Sequence, residues 1–441
     1  MKKIGAGFVL LIIILLGTPI LNGILMERVV NKVVEDMNSL YADTGTDYSI
    51  EILQYNRGLF SSDIDWKINF GELKAVYGIS EVILSERARH GFTGVVSTTS
   101  LDKNEWFTTF VSENLQGSNP LTISTRYSLL GNITTTCSTD AFSFTAENQN
   151  ISVLPGNFEI ATDSALKEFT SSGNWQGINI ADRLITGAMS VSSDLEMISS
   201  FLWDGEASFT LQKMVLKEEQ ASFDLAGLSG KYTLDVDQPK NRFSSTSEIS
   251  VKSIVAGDST IANTAAQFSV KNVDTVGYEM FMKTYLQLVS EILSTIAEAE
   301  NDPELAKAIF EQQLATAGFQ LIGAFEKLLK KDFELKINDA HMTLNNSELK
   351  GDITVRLLKD MTLMEFAPIV GQPELLLDIL YIKSAASLPA SLMGDNPMLL
   401  EPAYPGMQTG LFIKDGGILS HSAETREGKL YLNSEEVVLA R

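Results

Sequence analysis

The sequence predicts an α+β protein: an N-terminal transmembrane helix, then an elongated, mostly antiparallel β body with a helical hairpin inserted at about 275–331. Three patterns carry that prediction. An almost uncharged run fills Ile4–Met26, short runs with period-two alternation recur from residue 48 onward, and residues 275–331 switch to steps of three and four. The composition is that of a folding chain: 44% of 441 residues are hydrophobic, 20% are charged, and the mean hydropathy is +0.06. This length exceeds one ordinary core, so two or three packed units or one elongated one are expected.

Lys2 and Lys3 precede the apolar run, whose heart is Gly7–Leu16. Its twenty-three residues, at about 1.5 Å each, extend roughly 34 Å, enough for a hydrocarbon core of about 30 Å. The run ends Leu21-Asn22-Gly23-Ile24-Leu25-Met26 with no small-x-small cleavage site, which favours an uncleaved anchor over a signal peptide. Pro19 inside it is tolerable in lipid. The two lysines stay on the cytoplasmic side, so the bulk of the chain is exported. Val29, Val30, Val33, Val34 and Met37 continue at helical spacing until Gly45 and its neighbours break the helix.

Next come the strands. Tyr48, Ile50 and Ile52 alternate, as do Ile64, Trp66, Ile68 and Phe70, and Arg57-Gly58 between them predicts a hairpin. Similar runs recur from 120 to 272: Phe142/Phe144, Phe158/Ile160, Phe209/Leu211, Phe223/Leu225, Tyr232/Leu234/Val236, Ile249/Val251 and Phe268/Val270. Polar residues fill the other parity, as in half-buried antiparallel strands. No strict repeat unit emerges.

Residues 275–331 read as two amphipathic helices. Phe281, Tyr285, Leu288, Ile292 and Ile296 form one stripe; after the Asp302-Pro303 start, Phe310, Leu314, Ala317, Leu321, Phe325 and Leu328 form another. Lys327, Lys330 and Lys331 suit the negative C-terminal end. Their stripes are expected to cover one face of the sheet; the alternative is exposure to a partner or membrane. Strands resume at Phe333/Leu335/Ile337, Met342/Leu344 and Ile353/Val355/Leu357. Residues 371–394 are ambiguous between helix and strand, 395–410 read as a loop, and a hairpin turning at Glu427-Gly428 closes the chain.

Charge and motifs narrow the chemistry. Lys plus Arg is 34 and Asp plus Glu 56, a net −22, which argues against nucleic acid and against a polybasic lipid contact. The single cysteine, Cys137, excludes an intramolecular disulfide framework, and reads as a small strand residue. His90, His341 and His421 lack a second His at ligand spacing and read as surface or turn histidines. Neither a nucleophile elbow nor a phosphate-binding glycine loop occurs, and acidic pairs such as Glu218-Glu219 read as solvated faces. No catalytic, cofactor-binding or metal-ligating residues are assigned, and the expectation is a non-enzyme.

Tyr55-Asn56-Arg57-Gly58-Leu59-Phe60-Ser61-Ser62 resembles the signature of the YdgA-like family, bacterial inner-membrane-anchored periplasmic proteins of unknown function. Arg89-His90-Gly91-Phe92 is similar to that family's His-Gly-Pro segment, with Phe92 in place of proline. Glu427-Gly428-Lys429-Leu430-Tyr431-Leu432-Asn433 resembles its closing motif, with Ser434 in place of glycine. The resemblance brings no catalytic residue, cofactor or substrate. Read physically, Gly58 is expected at positive φ in a turn, Phe60 as a plug in the sheet, and Arg57 paired with an acid on a neighbouring strand.

With that resemblance the chain divides into a cytoplasmic tip 1–3, an anchor 4–26, a helical stalk 27–44, a β-rich periplasmic region 45–274, the hairpin 275–331 and a C-terminal β-rich region 332–441. Two functions are expected. The first is envelope maintenance, in which the sheet offers an apolar groove to lipid or another hydrophobic ligand. The second is an interaction scaffold acting through self-association or the helical hairpin. A periplasm-dependent reporter fused after Arg441 is expected to be active, with the mature N-terminus preceding residue 24; an inactive reporter, or a new N-terminus at 24–30, defeats that topology.

Overall fold

The structure is a computed structural model describing residues 2–45, 48–70, 78–218, 222–298, 321–362, 365, 372–391 and 410–437. The chain divides into two compact units. The first comprises Met1–Ala181, Met189–Trp203 and Tyr285–Ala315; the second comprises Asp182–Ala188, Asp204–Thr284 and Thr316–Arg441.

In the first unit, α1 (Lys2–Thr44) is one continuous helix, ended by Gly45 at φ 69°. The sheet begins with β1 (Tyr48–Arg57), β2 (Ser61–Phe70), β3 (Glu81–His90) and β4 (Gly94–Ser100). Helix α2 (Glu105–Asn114) leads to β5 (Leu121–Ser128) and β6 (Ile133–Thr139). A side hairpin, β7 (Phe142–Ala146) and β8 (Gln149–Val153), precedes β9 (Gly156–Thr162), β10 (Glu168–Trp175) and β11 (Ile178–Ile180). After β12 (Leu184–Thr186), which belongs to the second unit, β13 (Met189–Ser199) closes the first. The strands pair antiparallel in the order β1-β2-β3-β4-β5-β6-β9-β10-β13, while β11 pairs with β8. Helix α2 packs Phe107, Val111 and Leu115 against Phe142 and Phe144 of the side hairpin.

Helix α1 covers the start of this sheet. Met26 and Val30 are 1% exposed and close a core with Ile64, Ala88 and Val95. Pro19, Asn22, Gly23, Met26 and Val30 are the buried positions of its described half, a stripe at helical spacing. The expected span Ile4–Met26 is therefore corrected at its C-terminal end, where the helix packs on protein. Side chains before Gly17 lie outside the described residues, and among those described no helix is long and apolar enough to cross a membrane.

The second unit is a meander of longer strands: β14 (Leu202–Lys217), β15 (Ser222–Asp237), β16 (Arg242–Ala256) and β17 (Ser259–Asp274). Helix α3 (Thr275–Glu298), of which residues up to Thr284 belong to this unit, follows, then β18 (Glu334–Leu344), β19 (Ser347–Leu357), β20 (Leu380–Pro389), β21 (Ile413–Asp415), β22 (Ile418–Arg426), β23 (Lys429–Leu432) and β24 (Glu435–Val437). Neighbours pair antiparallel from β12 through β14 to β20, then β22, β23 and β24, with β21 also on β22. Glu427 and Gly428, at φ 51° and 71°, make the tight β22–β23 turn.

Of the expected hairpin, only the two flanks are among the described residues. Helix α3 starts at Thr275, residues 321–326 are helical, and Phe281 meets Phe325 with ring centroids 6.3 Å apart; residues 299–320 lie outside those described. Of the ambiguous segment, Pro373–Asp378 is a 3-10 turn and Leu380–Pro389 is strand, and the expected loop 395–410 falls almost wholly outside the described residues.

Ile64 is 1% exposed in the α1–sheet core, whereas Phe60 is 49% exposed. Ile64→Ala is therefore expected to cost about 2–5 kcal/mol and Phe60→Ala about 1 kcal/mol or less in chemical denaturation. Equal costs would contradict this placement of the core.

Candidate functional site

The signature residues surround the α1 docking point. Arg57 ends β1 and Ser61 begins β2, so Gly58-Leu59-Phe60 is their turn, with Gly58 N–H donating to Ser61 O at 2.7 Å. Three expectations are corrected here. Gly58 keeps a φ outside the left-handed region; a Cβ there would sit 3.2 Å from Ser61 O, so close backbone approach is what favours glycine. Leu59 and Phe60 are 64% and 49% exposed: the turn takes them out of the strand alternation, and the inward positions are Ser62 and Ile64. Arg57 pairs with Glu27 of α1, Nε to Oε2 2.8 Å, instead of with a strand acid. Both partners are about a third exposed, which limits that pair to about 1 kcal/mol. Tyr55 packs against the α1 core, and burial raises its phenol pKa.

His90 is the centre of the dock. Expected at the surface, it is 6% exposed, because α1 lies over it. Its Nε2 hydrogen bonds Ser62 Oγ at 2.9 Å, and its Nδ1 faces Leu59 O at 3.4 Å. A Cβ on Gly23 would lie 2.3 Å from His90 Cε1, so only glycine lets the helix rest on the ring. One residue earlier, Asn22 Nδ2 donates to Gly91 O at 2.6 Å. Reasoning from sequence missed Asn22, Gly23 and Glu27 as partners of the motif. The signal available was a polar pair inside an apolar run, with an acid one turn on.

Below this dock sits a buried carboxylate. Glu86 of β3 is 4% exposed, and its oxygens accept from Trp66 Nε1 at 2.8 Å and Tyr127 OH at 3.0 Å. Burial, reinforced by the Glu86 charge, pushes the Tyr127 phenol well above its usual range and keeps it a donor.

The Ser62–His90 pair has nucleophile-and-base contacts but no access, with Ser62 1% exposed. A second pair, Ser384 Oγ to His421 Nε2 at 2.8 Å, likewise sets the other imidazole nitrogen on a carbonyl, Leu411 O at 2.9 Å. His341 Nδ1 lies 2.9 Å from Asp339 O. Cys137 is a half-buried free thiol in β6, its pKa raised by burial, so it is no activated thiolate. Among the described residues no group of three or more His, Cys, Asp and Glu is placed to hold a metal ion.

The second unit presents a different feature. Residues directly opposite in antiparallel strands share a face. One row runs Tyr232-Ser247-Phe268-Ile337-Ile353-Ser384, and beside it run Phe209-Gly230-Ile249-Ala266 and Leu234-Ser245-Val270-Leu335-Val355-Ile382. The opposite face carries the ion pairs Lys231–Glu206 and Lys271–Glu334 and the Gln267–Glu248 hydrogen bond. On the apolar face α3 covers one end: Tyr278 meets Phe243 edge-on at 4.8 Å, and Phe243, Val273 and Leu357 are buried. The rest is open. Phe209, Tyr232, Ile249, Phe268, Ile337 and Ile353 are all 37–50% exposed.

These features define an antiparallel β-sheet protein with one helix docked on the strands of its first unit and a half-exposed apolar face in its second. Residues 1–440 match the family described as a bacterial protein of unknown function (DUF945), and the chain belongs to that family. Neither a curated protein nor a solved structure matches it.

The buried dock makes stability depend on pH. Burial, with the Arg57 charge assisting and Leu59 O opposing, lowers the His90 pKa below 6.5. Between the lowered value and about 6.5 the unfolded chain holds the extra proton, so stability is full above that window and falls as pH drops through it. Hydrogen-exchange protection factors across residues 22–30, which remove the intrinsic slowing of exchange at low pH, are expected to fall between pH 7.5 and pH 5, with a smaller change in His90→Gln. An unchanged slope in that variant would remove His90 as the cause.

Proposed function

We propose that this chain is a bacterial envelope protein, anchored by its N-terminal helix, that holds lipid acyl chains or another hydrophobic ligand on the open apolar face of its second unit. The observation that carries this reading is the row Tyr232, Phe268, Ile337 and Ile353, flanked by Phe209 and Ile249, left half-exposed on one face. Contiguous apolar surface of this kind marks a binding site or an aggregation liability in a soluble body. The alternation places charges on the opposite face, so the ligand contact is dispersive and hydrophobic rather than ionic.

The anchor rests on the uncharged run after Lys2 and Lys3. With Pro19, Asn22, Gly23 and Met26 buried, the lipid-embedded part of this reading lies on the N-terminal side of Pro19. The resemblance to inner-membrane-anchored periplasmic proteins supports the same orientation, with both units exported. A second reading, an interaction scaffold, rests on Val276, Met280, Ile322 and Phe325 of the helical segments, each 42–60% exposed.

Native mass spectrometry and lipid extraction of the full chain in mild detergent separate the two. Acyl chains are expected to co-purify, and to be lost in Phe268→Asp and Ile337→Asp with circular dichroism unchanged. Thr354→Asp, on the other face, is expected to retain them. A lipid-free protein that self-associates, and becomes monomeric on Met280→Asp, would replace the ligand reading with the scaffold.

A further inference from the structure

We infer that the first unit contains a second, separate binding site, a hollow between α1 and the sheet that takes a small alkylammonium ligand with Glu86 as the acceptor for its head group. The hollow has a volume of about 280 Å³. Val30 and Val33 of α1 form one wall, Ile68 and Ile123 of the sheet another, and Trp66, Glu86 and Tyr127 line it as well. At about 30 Å³ per non-hydrogen atom, the liquid volume of a water, it accommodates roughly nine.

Glu86 is what gives the hollow its chemistry. The carboxylate is 4% exposed and its two hydrogen-bond donors, the Trp66 indole and the Tyr127 phenol, are both neutral. The ion pairs of the described sheet residues around it, Arg57–Glu27, Lys67–Glu51, Arg87–Asp63 and Lys103–Asp65, do not include it. Removing a carboxylate from water costs several kcal/mol unless a cation offsets it. Each of its oxygens has a second lone pair, so a third donor fits beside the indole and the phenol. The walls are mostly aliphatic, and the only other oxygen-bearing linings are threonines and Tyr127, a poor ligand set for a bare metal ion. A primary ammonium on a short apolar chain satisfies both parts: the head offsets the Glu86 charge and the chain fills the aliphatic remainder. This site is independent of the open face of the second unit and of whatever binds there.

Trp66 lines the hollow and donates to Glu86, so it reports on occupancy directly. The full chain, labelled with 5-fluorotryptophan in mild detergent, gives four ¹⁹F signals, and Trp66→Phe assigns one. Hexylammonium at pH 7.5 is expected to shift the Trp66 signal saturably, hexanol about tenfold more weakly, and hexanoate not at all. In Glu86→Gln the preference for ammonium over alcohol is expected to vanish while hexanol binding persists. Val33→Phe, which fills the hollow from the helix side and leaves Glu86 in place, is expected to abolish the response to every probe. No saturable shift, equal binding of the amine and the alcohol, or an ammonium preference that survives Glu86→Gln overturns the proposal. Should Glu86→Gln fail to fold, ammonium binding that survives Val33→Phe overturns it equally.

Discussion

Each square ångström of apolar sheet left in water forfeits about 25 cal/mol, and an antiparallel sheet with one apolar face must lay that face on something. In this protein the two units meet that constraint differently. The first unit lays α1 across its opening strands and α2 against its side hairpin. The second covers only one end of its apolar face, through Tyr278 of α3 on Phe243, and leaves Phe209, Tyr232, Ile249, Phe268, Ile337 and Ile353 half-exposed. Packing in the first unit and ligand capacity in the second are two outcomes of the same requirement.

The signature segment makes sense as the fitting for the first cover. A helix resting on a sheet usually needs only complementary apolar surface, and Met26 and Val30 supply that. What they do not supply is register along the helix axis. Asn22 on Gly91 O, Gly23 over the His90 ring and Glu27 on Arg57 fix it, because each works at one helical position only. The exposed ion pair adds little energy, so its contribution is direction, and the steric fit at Gly23 is the strict element. The polar turn Arg57–Ser62 and the segment His90–Gly91, far apart in sequence, are brought together because Ser61 and Ser62 pair with Arg89 and Ala88 in adjacent strands.

Much of the sheet was legible because period two survives at residue level: Tyr48, Ile50 and Ile52 and their partners Phe70, Ile68 and Trp66 were read correctly as a hairpin. Other features were not legible for identifiable reasons. Phe223/Leu225 and Tyr232/Leu234 read as two runs, yet both lie in β15; their parities differ, and Gly227 at φ 63° stands between them. Helix α2 is ten residues with only Phe107, Phe110 and Val111 as its stripe, too short for a periodicity signal. Phe60 looked like core because it is aromatic and adjacent to a strand, but the turn removed it from the alternation. The site was half legible: the motif marked the right segment, while two of its partners, Asn22 and Gly23, lay in the run that hydropathy assigned to lipid and the third, Glu27, in the stalk beside it.

The two Ser–His pairs show why contact geometry has to be read together with access and the third partner. An activated serine needs a base whose far nitrogen is held by an acid and an oxygen open to substrate. His90 and His421 both turn that nitrogen to a backbone carbonyl, Leu59 O and Leu411 O. A neutral imidazole between a hydroxyl and a carbonyl is satisfied at both ends, with one nitrogen donating and the other accepting. It therefore ties a strand to the turn or segment beside it; the serine hydroxyl can donate or accept, so what disfavours a proton on His90 is its burial. In the first unit that tie lies directly beneath Gly23. The protonation state of His90 and the seating of α1 are thus linked through burial, and the same helix that forms the wall of the Glu86 hollow rests on a histidine whose pKa that burial lowers.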